Sequence, residues 1–311
     1  MRLAGDIRSA IDWVQKDGLS AVPDAAYGFY KTYVLGGIGR YLNQGENVYE
    51  RDWDVLLILD ACRLDLFHSV SDEYEFITTT DQLYSVGGNS EEWMRKTFTD
   101  EYEQEIKQTA YVTGNPFSER VLDSDDFLVM DEVWKYAWSE QGTVLPEAIS
   151  DRAIETHREH QPEYMIVHYM QPHVPFVNWD KAENISISNF GGPQSKRTMD
   201  TWDRVRKGEV KLDDVMKAYR NNLRLVLDQL EVVLSSIDAE CVVISSDHGN
   251  AIGEFGVYGH PRSAPLKGVR AVPWSVTSAR NNGEYQPALE KGMDAVTDDD
   301  VESRLQDLGY I

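Results

Sequence analysis

Short, continuously apolar runs alternate along this chain with longer segments whose apolar residues recur at steps of three and four. The clearest run covers residues 55–59, Val-Leu-Leu-Ile-Leu, between Asp54 and Asp60. A run without polar positions is typical of a strand that is covered on both faces, as the strands of parallel sheets are. Further short strands are predicted over residues 109–113, 165–167 and 241–245.

Amphipathic helices are predicted between these strands. Over residues 212–237 the apolar positions form one stripe at helical spacing, which leads directly into the run at 241–245. Residues 91–98 predict a shorter helix with Ser90 at its N-cap and two glutamates in its first turn, and residues 299–308 predict a terminal helix. Strands that alternate with helices indicate an α/β fold with one mostly parallel sheet.

The chain divides into two predicted regions. Residues 1–50 are helical pieces that we expect to be broken at Gly18, Pro23 and Gly36-Gly37, and they form an N-terminal helical cap. Residues 51–311 form the main domain.

Three less regular segments lie within the main domain. Residues 74–80 predict a strand, and residues 269–276 predict a late strand at a sheet edge, because Pro273 argues against a central position. Residues 116–150 are acidic and irregular, and we expect them to form an excursion from the domain.

The charge of the chain excludes one class of partner. With 53 acidic and 30 basic residues the net charge is -23, so binding to nucleic acid through phosphate neutralisation is not expected. A shell this acidic is also what proteins of high-salt cytoplasms carry, since salt screens its self-repulsion. We therefore hypothesise a halophilic source for this acidic protein.

The remaining features of composition favour a cytoplasmic protein. Cys62 and Cys241 lie in or beside predicted core strands, so we expect two buried thiols rather than a disulfide. The N-terminus has no signal-peptide pattern, and the uncharged run at 32–39 is too short to span a bilayer. The aromatic segment Tyr27 to Tyr41 could lie peripherally on the inner membrane face, but core packing is favoured.

Metal-capable residues follow three of the predicted strands. Asp60 ends the first, His168 the second, and Ser246-Asp247-His248-Gly249 follows the third. Because the carboxyl ends of parallel strands face one crevice, these side chains are expected to converge there. Carboxylate oxygens with imidazole suit a divalent cation. The competing interpretation of Asp60 alone is a helix N-cap, with Arg63 and Asp65 as an adjacent salt bridge.

Two loops bring further histidines towards this crevice. His168 and His173 lie five residues apart on a loop stiffened by Pro172 and Pro175, and such rigidity suits a preorganised contact to a metal or an anion. The glycine-rich segment 253–260 ends in His260, and folding it back onto the site places His260 near His248. The other histidines are less informative: His157 and His160 are predicted to be solvated, and His68 is left unassigned.

These motifs together resemble the alkaline phosphatase superfamily, in particular its sulfatase-like branch and the phosphoethanolamine and lipoteichoic-acid-type transferases. Asp60-x-x-Arg63-x-Asp65 is similar to the first metal motif, and His168-x-x-x-Pro172-His173-x-Pro175 to the sulfatase His-Pro-His-Pro loop. The Asp247-His248 pair with His260 resembles the second metal motif of the transferases, and residues 270–273 a late sulfatase strand. The resemblance implies an alkaline-phosphatase-like three-layer sandwich, with helices on both faces of a mostly parallel sheet.

The resemblance also implies a nucleophile at a helix N-terminus downstream of Asp60. Ser90 occupies that place, although a plain N-cap serine explains it equally well, and Ser85 and Thr97 are weaker candidates. Sulfatases use a formylglycine made from cysteine in a Cys-x-Pro-x-Arg setting. Neither Cys62 nor Ser90 has that setting, so no formylglycine is expected and Cys62 is assigned to packing.

The sequence thus predicts a metal-dependent hydrolase of phosphate or sulfate esters, including phosphodiesters. One or two ions (Zn, Mn, Mg or Ca) are implied, with metal ligands Asp60, Ser90, Asp247, His248 and His260. Arg63, His168 and His173 are the remaining catalytic candidates. His168, His173 and His260 would bind a second metal or the non-bridging oxygens of the substrate, and Arg63 or Arg270 could support these ligands without touching the metal.

The substrate is expected to be a small anionic ester or a glycan or lipid head group, with no stable membrane insertion. A head-group transferase and a catalytically degenerate metal-binding module are the alternatives. The oligomeric state stays open, with a homo-oligomer among the options.

Overall fold

A computed structural model describes residues 12, 14–15, 18–42, 45–179, 201–292 and 297–309. Its nine strands are β1 (Val55–Leu59), β2 (Asp81–Tyr84), β3 (Thr109–Thr113), β4 (Val129–Glu132), β5 (Tyr164–Tyr169), β6 (Ala239–Ser245), β7 (Ala251–Ile252), β8 (Tyr258–Gly259) and β9 (Ala271–Ala279).

Eleven α-helices are present in the described residues. They are α1 (Val22–Phe29), α2 (Gly36–Leu42), α3 (Leu64–His68), α4 (Ser90–Thr97), α5 (Glu103–Lys107), α6 (Phe117–Val121), α7 (Pro146–His160), α8 (Thr201–Arg206), α9 (Leu212–Leu234), α10 (Lys267–Arg270) and α11 (Asp298–Asp307). A π-helical turn, Tyr30–Leu35, joins α1 to α2, and short 3₁₀ turns cover Leu19–Ala21, Val48–Glu50, Ser71–Glu73, Asp100–Tyr102, Ser124–Asp126, Val133–Lys135 and Glu254–Gly256.

Seven strands form one mostly parallel sheet in the order β2-β9-β6-β1-β5-β3-β4. Strand β1 pairs in parallel with β5 on one side and β6 on the other, while β9 runs antiparallel to β6 and β2. Every residue of β1 and β3 is buried, which requires cover on both faces of the sheet. The predicted fold class is therefore confirmed: a mostly parallel central sheet lies among helices.

The long helix α9 follows the predicted stripe. Its buried positions include Val215, Tyr219, Leu223, Val226 and Leu230, each separated from the next by three or four residues. This spacing lays one face of the helix on the core along its whole length, and the chain then enters β6 after a short turn.

Two predicted assignments on either side of β3 differ from the structure. Residues 74–80 do not form a strand; β2 begins at Asp81 and pairs only with β9, so its outer positions Asp81 and Gln82 stay exposed. Residues 116–150 are not a detached excursion, because they supply α6 and the edge strand β4, which pairs with β3. Both strands lie at sheet edges, where polar side chains are tolerated and the sequence signal is weak.

The predicted edge strand near Pro273 lies inside the sheet instead. Strand β9 is flanked by β2 and β6. Pro273 is tolerated because the recorded pairing of β9 with β6 runs from Ser275 to Ala279, while Pro273 itself pairs with Gln82 of β2. The two neighbours thus pair with different halves of β9, and Pro273 lies in the half that pairs with β2.

The N-terminal helical run is less broken than predicted. Pro23 lies in the first turn of α1, where a missing N–H costs nothing, and the chain continues through the π-helical turn into Gly36 without a break. Gly18 precedes the run, with a positive φ of 76°. The core-packing prediction for Tyr27 to Tyr41 holds for one side of the run only, because several of its large apolar side chains are exposed.

Candidate active site

Three adjacent strands deliver the candidate metal ligands to one place. Strand β1 lies between β5 and β6, so Asp60, which follows β1, is flanked by His168 of β5 and by Asp247, which follows β6. One ligand atom from each of these three side chains lies within 4.8 Å of the others, and all three residues are fully buried. The structure thus brings together the side chains that the parallel-sheet argument predicted to meet.

Hydrogen bonds orient the two carboxyl groups. Oδ1 of Asp247 accepts from the backbone N–H of Ala61 at 3.1 Å and of His248 at 2.8 Å, which leaves Oδ2 facing the other ligands. Oδ2 of Asp60 accepts from the Asn115 side-chain amide at 2.9 Å. Each carboxyl group is therefore held by donors on one side and turned towards the cluster on the other.

The imidazoles are oriented by partners on their far sides. Nδ1 of His248 is 2.9 Å from the carbonyl oxygen of Gly249, to which it can only donate, so Nε2 carries the lone pair. That Nε2 lies 3.5 Å from Asp60 Oδ1 and 3.4 Å from Asp247 Oδ2. Nδ1 of His168 is 2.9 Å from the Tyr111 hydroxyl, which turns its Nε2 towards Asp247 Oδ2 at 3.7 Å.

This donor set fits a divalent cation. Among the described residues, His168 Nε2 and Asp247 Oδ2 are buried without a hydrogen-bond partner, although they face each other. Burial lowers the pKa of His248, so its imidazole is neutral at pH 7. Burial raises the pKa of Asp247, but His248 and His168 lower it by more, so that carboxyl group is ionised. Buried negative charge of this kind requires a compensating cation.

Ser90 is part of the same cluster. It is the first residue of α4, and Asn89, not Ser90, is the N-cap, because the Asn89 side chain accepts from the Glu92 N–H. The Ser90 hydroxyl is buried, 3.3 Å from Asp60 Oδ2 and 3.4 Å from His248 Nε2. The N-cap explanation of this serine is therefore wrong, and its hydroxyl lies among the candidate ligands.

His173 and His260 lie beside His248. The rings of His248 and His260 are 4.7 Å apart, and those of His173 and His260 are 5.1 Å apart. Burial, with His248 nearby, lowers the pKa of His173 to about 4. Burial, with His248 and His173 nearby, also lowers the pKa of His260 well below its ordinary value. The glycine-rich segment therefore folds back as predicted and brings His260 to the site.

The tautomer of His260 follows from a chain of hydrogen bonds. The Tyr219 hydroxyl donates to the carbonyl of Ala61 and accepts from Asn250 Nδ2 at 3.0 Å. Asn250 Oδ1 therefore faces His260 Nδ1, at 3.0 Å, and accepts its proton. His173 Nδ1 similarly donates to the carbonyl of Val174 at 2.5 Å. Both imidazoles thus keep a lone pair on Nε2.

The two arginines act at a distance from the ligands. Arg63 binds Asp65 through Nε at 2.7 Å and Glu254 through Nη1 at 2.8 Å, and it also donates to the carbonyl of Asn250. It forms the predicted salt bridge with Asp65 and anchors the segment that leads to His260. Buried Arg270 donates to the carbonyl of Ser85 at 2.7 Å, and the Ser85 hydroxyl donates to the carbonyl of Asp247.

The remaining candidates lie outside the cluster or are chemically unsuited. Burial raises the pKa of the Cys62 thiol, which agrees with its assignment to packing. Cys241, expected to be buried, is partly exposed. The Ser85 hydroxyl donates a hydrogen bond to the backbone carbonyl of Asp247, and Thr97 is at the far end of α4 from Ser90. His68 and His160 are exposed and His157 is half-buried.

Sequence reasoning missed several residues that shape the site. Asn115 lies just beyond β3, as Asp60 lies beyond β1, so the rule that found Asp60 applies to Asn115 as well. Glu92 accepts from the N–H groups of Gly88 at 2.9 Å and Ser263 at 2.8 Å and thereby joins the Ser90 helix to the segment that follows His260. No local pattern marks this link, since Ser263 lies 171 residues from Glu92 in sequence.

One protein-family model matches this chain. The sulfatase family model matches residues 75–282, which include Ser90, His168, Asp247 and His260 but not Asp60. A search of the curated proteins finds no matching sequence.

Several solved structures are similar at low identity. The soluble domain of lipooligosaccharide phosphoethanolamine transferase A from Neisseria meningitidis is 13% identical, with a TM-score of 0.46 over 72% of this chain and 75% of that one. The integral membrane form of that protein is 12% identical, with a TM-score of 0.47 over 88% of this chain, which spans only 58% of the relative's length. The lipoteichoic acid synthase LtaP from Listeria monocytogenes is 13% identical, with a TM-score of 0.43 over 81% of this chain and 73% of that one.

Proposed function

Because this chain belongs to the sulfatase family, we propose that it is a metal-dependent enzyme acting on phosphate or sulfate esters, with Ser90 as nucleophile. One observation carries the proposal: the Ser90 hydroxyl lies within 3.4 Å of both Asp60 Oδ2 and His248 Nε2, beside ligand atoms that lack hydrogen-bond partners among the described residues. A serine that served only to pack the helix would not need a carboxylate and an imidazole next to its hydroxyl.

Asp60, His168, Asp247 and His248 would hold one divalent cation, with the Ser90 oxygen beside it. When bound, such an ion supplies Lewis acidity, which lowers the pKa of a nearby hydroxyl and neutralises phosphate or sulfate charge. The oxygen and nitrogen ligands are compatible with Zn, Mn, Mg or Ca.

His173 and His260 are proposed as ligands of a second cation. Both imidazoles donate through Nδ1 to protein oxygens, so each presents an Nε2 lone pair rather than an N–H. A lone pair binds a cation and repels the oxygens of an anionic ester. Between the two roles that the sequence left open for His173, metal ligation is therefore better supported than direct contact to the anion.

The reaction is an in-line displacement at phosphorus or sulfur. The Ser90 hydroxyl loses its proton to water as its oxygen forms a bond to the central atom. The bond to the leaving alcohol breaks on the opposite side, and the alcohol leaves with a proton taken from water. A water molecule then displaces the Ser90 oxygen, which regains its proton, and releases phosphate or sulfate. The N–H groups at the start of α4, next to Ser90, are suited to the anion that Ser90 carries between the two steps.

Transfer to an acceptor alcohol on a lipid or glycan is the second candidate function. It uses the same first step, and the alcohol replaces water in the second. An exposed apolar surface on the N-terminal helices, beside the segment that carries His260, supports it. A degenerate binding module that has lost its nucleophile is the third candidate.

The test is hydrolysis of nitrophenyl phosphates, phosphodiesters and sulfates by the purified protein with each of the four metals. Ser90→Ala should lose at least about 10³-fold of the turnover and still bind metal, as expected for loss of a covalent nucleophile. Thr97→Val is the matched control, because Thr97 is a buried hydroxyl of the same helix whose Oγ1 has no hydrogen-bond partner in the described residues. Equal turnover in Ser90→Ala and wild type would remove Ser90 from the mechanism.

A further inference from the structure

Exposed apolar side chains are concentrated in the N-terminal helical run. Ten large hydrophobic side chains are exposed in the described residues, and seven of them lie between residues 19 and 42. We call these seven the N-terminal apolar face: Leu19, Val22, Phe29, Val34, Ile38, Tyr41 and Leu42. Phe255, also exposed, adjoins the helical run, since its carbonyl accepts a hydrogen bond from the Tyr30 hydroxyl at 3.4 Å. Scattered exposed apolar residues are ordinary, but a contiguous group marks an interaction surface.

The opposite side of the same run is packed against the protein, so the face has a fixed orientation. Leu35 is buried in a small cluster with Ala251, Val257, Ala264, Leu266 and Val269. At Gly39 any side chain would collide with the backbone, because an added Cβ would lie 1.5 Å from the carbonyl oxygen of Ser263. The close contact at Gly39 and the Leu35 cluster hold the run in one rotation, with Val34 and Ile38 directed outward.

The charge of this region departs from that of the chain. The chain carries 53 acidic residues and a net charge of -23, yet residues 19–42 contain a single acid, Asp24. Asp24 is paired with Arg206 at 2.5 Å and Lys207 at 2.8 Å. Arg40 is exposed on the run, and Lys267 and Arg262 are exposed beside it, with Arg262 3.7 Å from Glu91. The apolar face is therefore free of unpaired acids and bordered by cations.

We propose that the N-terminal apolar face docks the protein reversibly on an anionic lipid bilayer. Apolar side chains on one side of a helix, with cations at its border, are what an interfacial helix requires, since the side chains enter the acyl boundary and the cations meet lipid phosphates. A second copy of the chain is a poorer partner, because self-association would place Arg40 and its neighbouring cations against one another, whereas lipid phosphates would neutralise them.

Docking through this face would place the bilayer beside the candidate active site. The helical run packs on residues 251–269, the segment that carries His260. No helix in the described residues is long and apolar enough to cross a membrane. This placement favours a lipid head group as the ester substrate. Only this statement about the substrate rests on the proposed function; the docking itself does not.

The experiment is co-sedimentation of the folded chain with phosphatidylcholine vesicles that either contain or lack phosphatidylglycerol. The wild-type chain should bind the anionic vesicles, and Ile38→Glu should weaken that binding at least about tenfold, since a charge replaces an inserted apolar side chain. Leu128→Glu is the matched control: Leu128 is 47% exposed, against 46% for Ile38, but lies outside the face, so its vesicle binding should equal that of the wild type.

Three results would overturn the proposal: no vesicle binding by the wild-type chain, equal binding to vesicles with and without phosphatidylglycerol, or a wild-type dimer in sedimentation velocity that Ile38→Glu dissociates. Thermal unfolding of both variants checks that they are folded. Because vesicle binding needs no turnover, Ser90→Ala should bind vesicles like the wild type, and a failure of the proposed reaction would leave this result unchanged.

Discussion

The hydroxyl of Ser90 lies 3.3 Å from the carboxylate of Asp60. Asp60 follows the central strand β1, whereas Ser90 begins α4, and the antiparallel edge strand β2 lies between them in sequence. The contact therefore joins the end of a central strand to the start of the helix that follows an edge strand. It places a hydroxyl at the N-terminus of a helix against a buried carboxylate, which is the arrangement on which the proposed chemistry depends.

Metal removal should destabilise the protein. Asp60 and Asp247 are fully buried within 4.8 Å of each other, so a bound cation removes their mutual repulsion. Chelation should lower the Tm. When the metal had been present at 100 times its Kd, its removal should lower the free energy of unfolding by about 2.7 kcal/mol. Asp247→Asn should abolish the response to chelator, whereas Asp151→Asn, a buried aspartate that binds the Tyr285 hydroxyl, should keep it. A wild-type Tm that does not respond to chelator would contradict a metal site.

Asn115 should support metal binding without being a ligand. Its amide donates to Asp60 Oδ2 at 2.9 Å, and loss of such a supporting hydrogen bond typically costs about 10–100-fold in metal affinity. Asn115→Ala should show that loss in a titration followed by calorimetry. Asn47→Ala is the control, because Asn47 is also buried and bonds the carbonyls of Lys96 and Thr97 away from the cluster. Unchanged affinity in Asn115→Ala would show that the Asp60 carboxylate needs no such support.

Glu92 should be a positioning residue. Its carboxylate accepts from Gly88, Ser263 and Lys96, and burial is outweighed by these donors, which lower its pKa to about 2. Glu92→Gln leaves buried donors unpaired, so we expect a loss of roughly 1–3 kcal/mol of stability together with reduced kcat. Glu91, the neighbouring glutamate on the same helix, provides the control, because it forms ion pairs only with the partly exposed Arg95 and Arg262. Glu91→Gln should change the free energy of unfolding by less than about 0.5 kcal/mol. Equal effects of the two substitutions would argue against a special role for Glu92.

Attachment of the N-terminal helices should depend on pH through Asp24. Burial raises the pKa of Asp24, but Lys207 and Arg206 lower it by more, so the net shift is below the ordinary value. A lowered folded-state pKa stabilises the attachment above the ordinary carboxyl pKa, and the effect is lost as pH falls through the folded value. Asp24→Asn should therefore increase hydrogen exchange in residues 19–42 at pH 7. The difference from the wild type should begin to shrink as pH falls below about 4 and vanish only below the lowered pKa of the folded state. A difference that persists in acid would have another cause.

Salt should stabilise the chain if the halophilic hypothesis is correct. The net charge of -23 is screened over about 3 Å at molar salt, which removes much of the self-repulsion of the folded state. The Tm should therefore rise between low salt and molar KCl. Sucrose at equal osmolality is the control for solute exclusion without screening. A Tm that stays level or falls in KCl would reject the hypothesis.

The central strands and their ligands could be predicted from the sequence for a simple reason. A strand that is covered on both faces must be apolar at every position, and this leaves a continuous signal at 55–59 and 241–245 that needs no tertiary information. Asp60 and Asp247 end two such runs, and parallel direction alone brings their carboxyl groups to one edge of the sheet.

The edge elements could not be predicted in the same way. Strand β2 is assigned by its pairing with β9, and β4 by its pairing with β3, while their own side chains are largely polar or only half-buried. The sequence also could not predict which side of the helical run at Tyr27 to Tyr41 is buried, since an aromatic residue is equally compatible with a core and with an exposed apolar face.

The sequence by itself determined the α/β class, the central strands and the residue types at their ends, because burial on both faces imposes a local pattern. Only the tertiary structure decided that Asn115 orients Asp60, that Glu92 joins α4 to Ser263, and that Val34 and Ile38 point outward. These relationships depend on which distant backbone approaches each side chain and which polar atoms lose water, and packing alone fixes both.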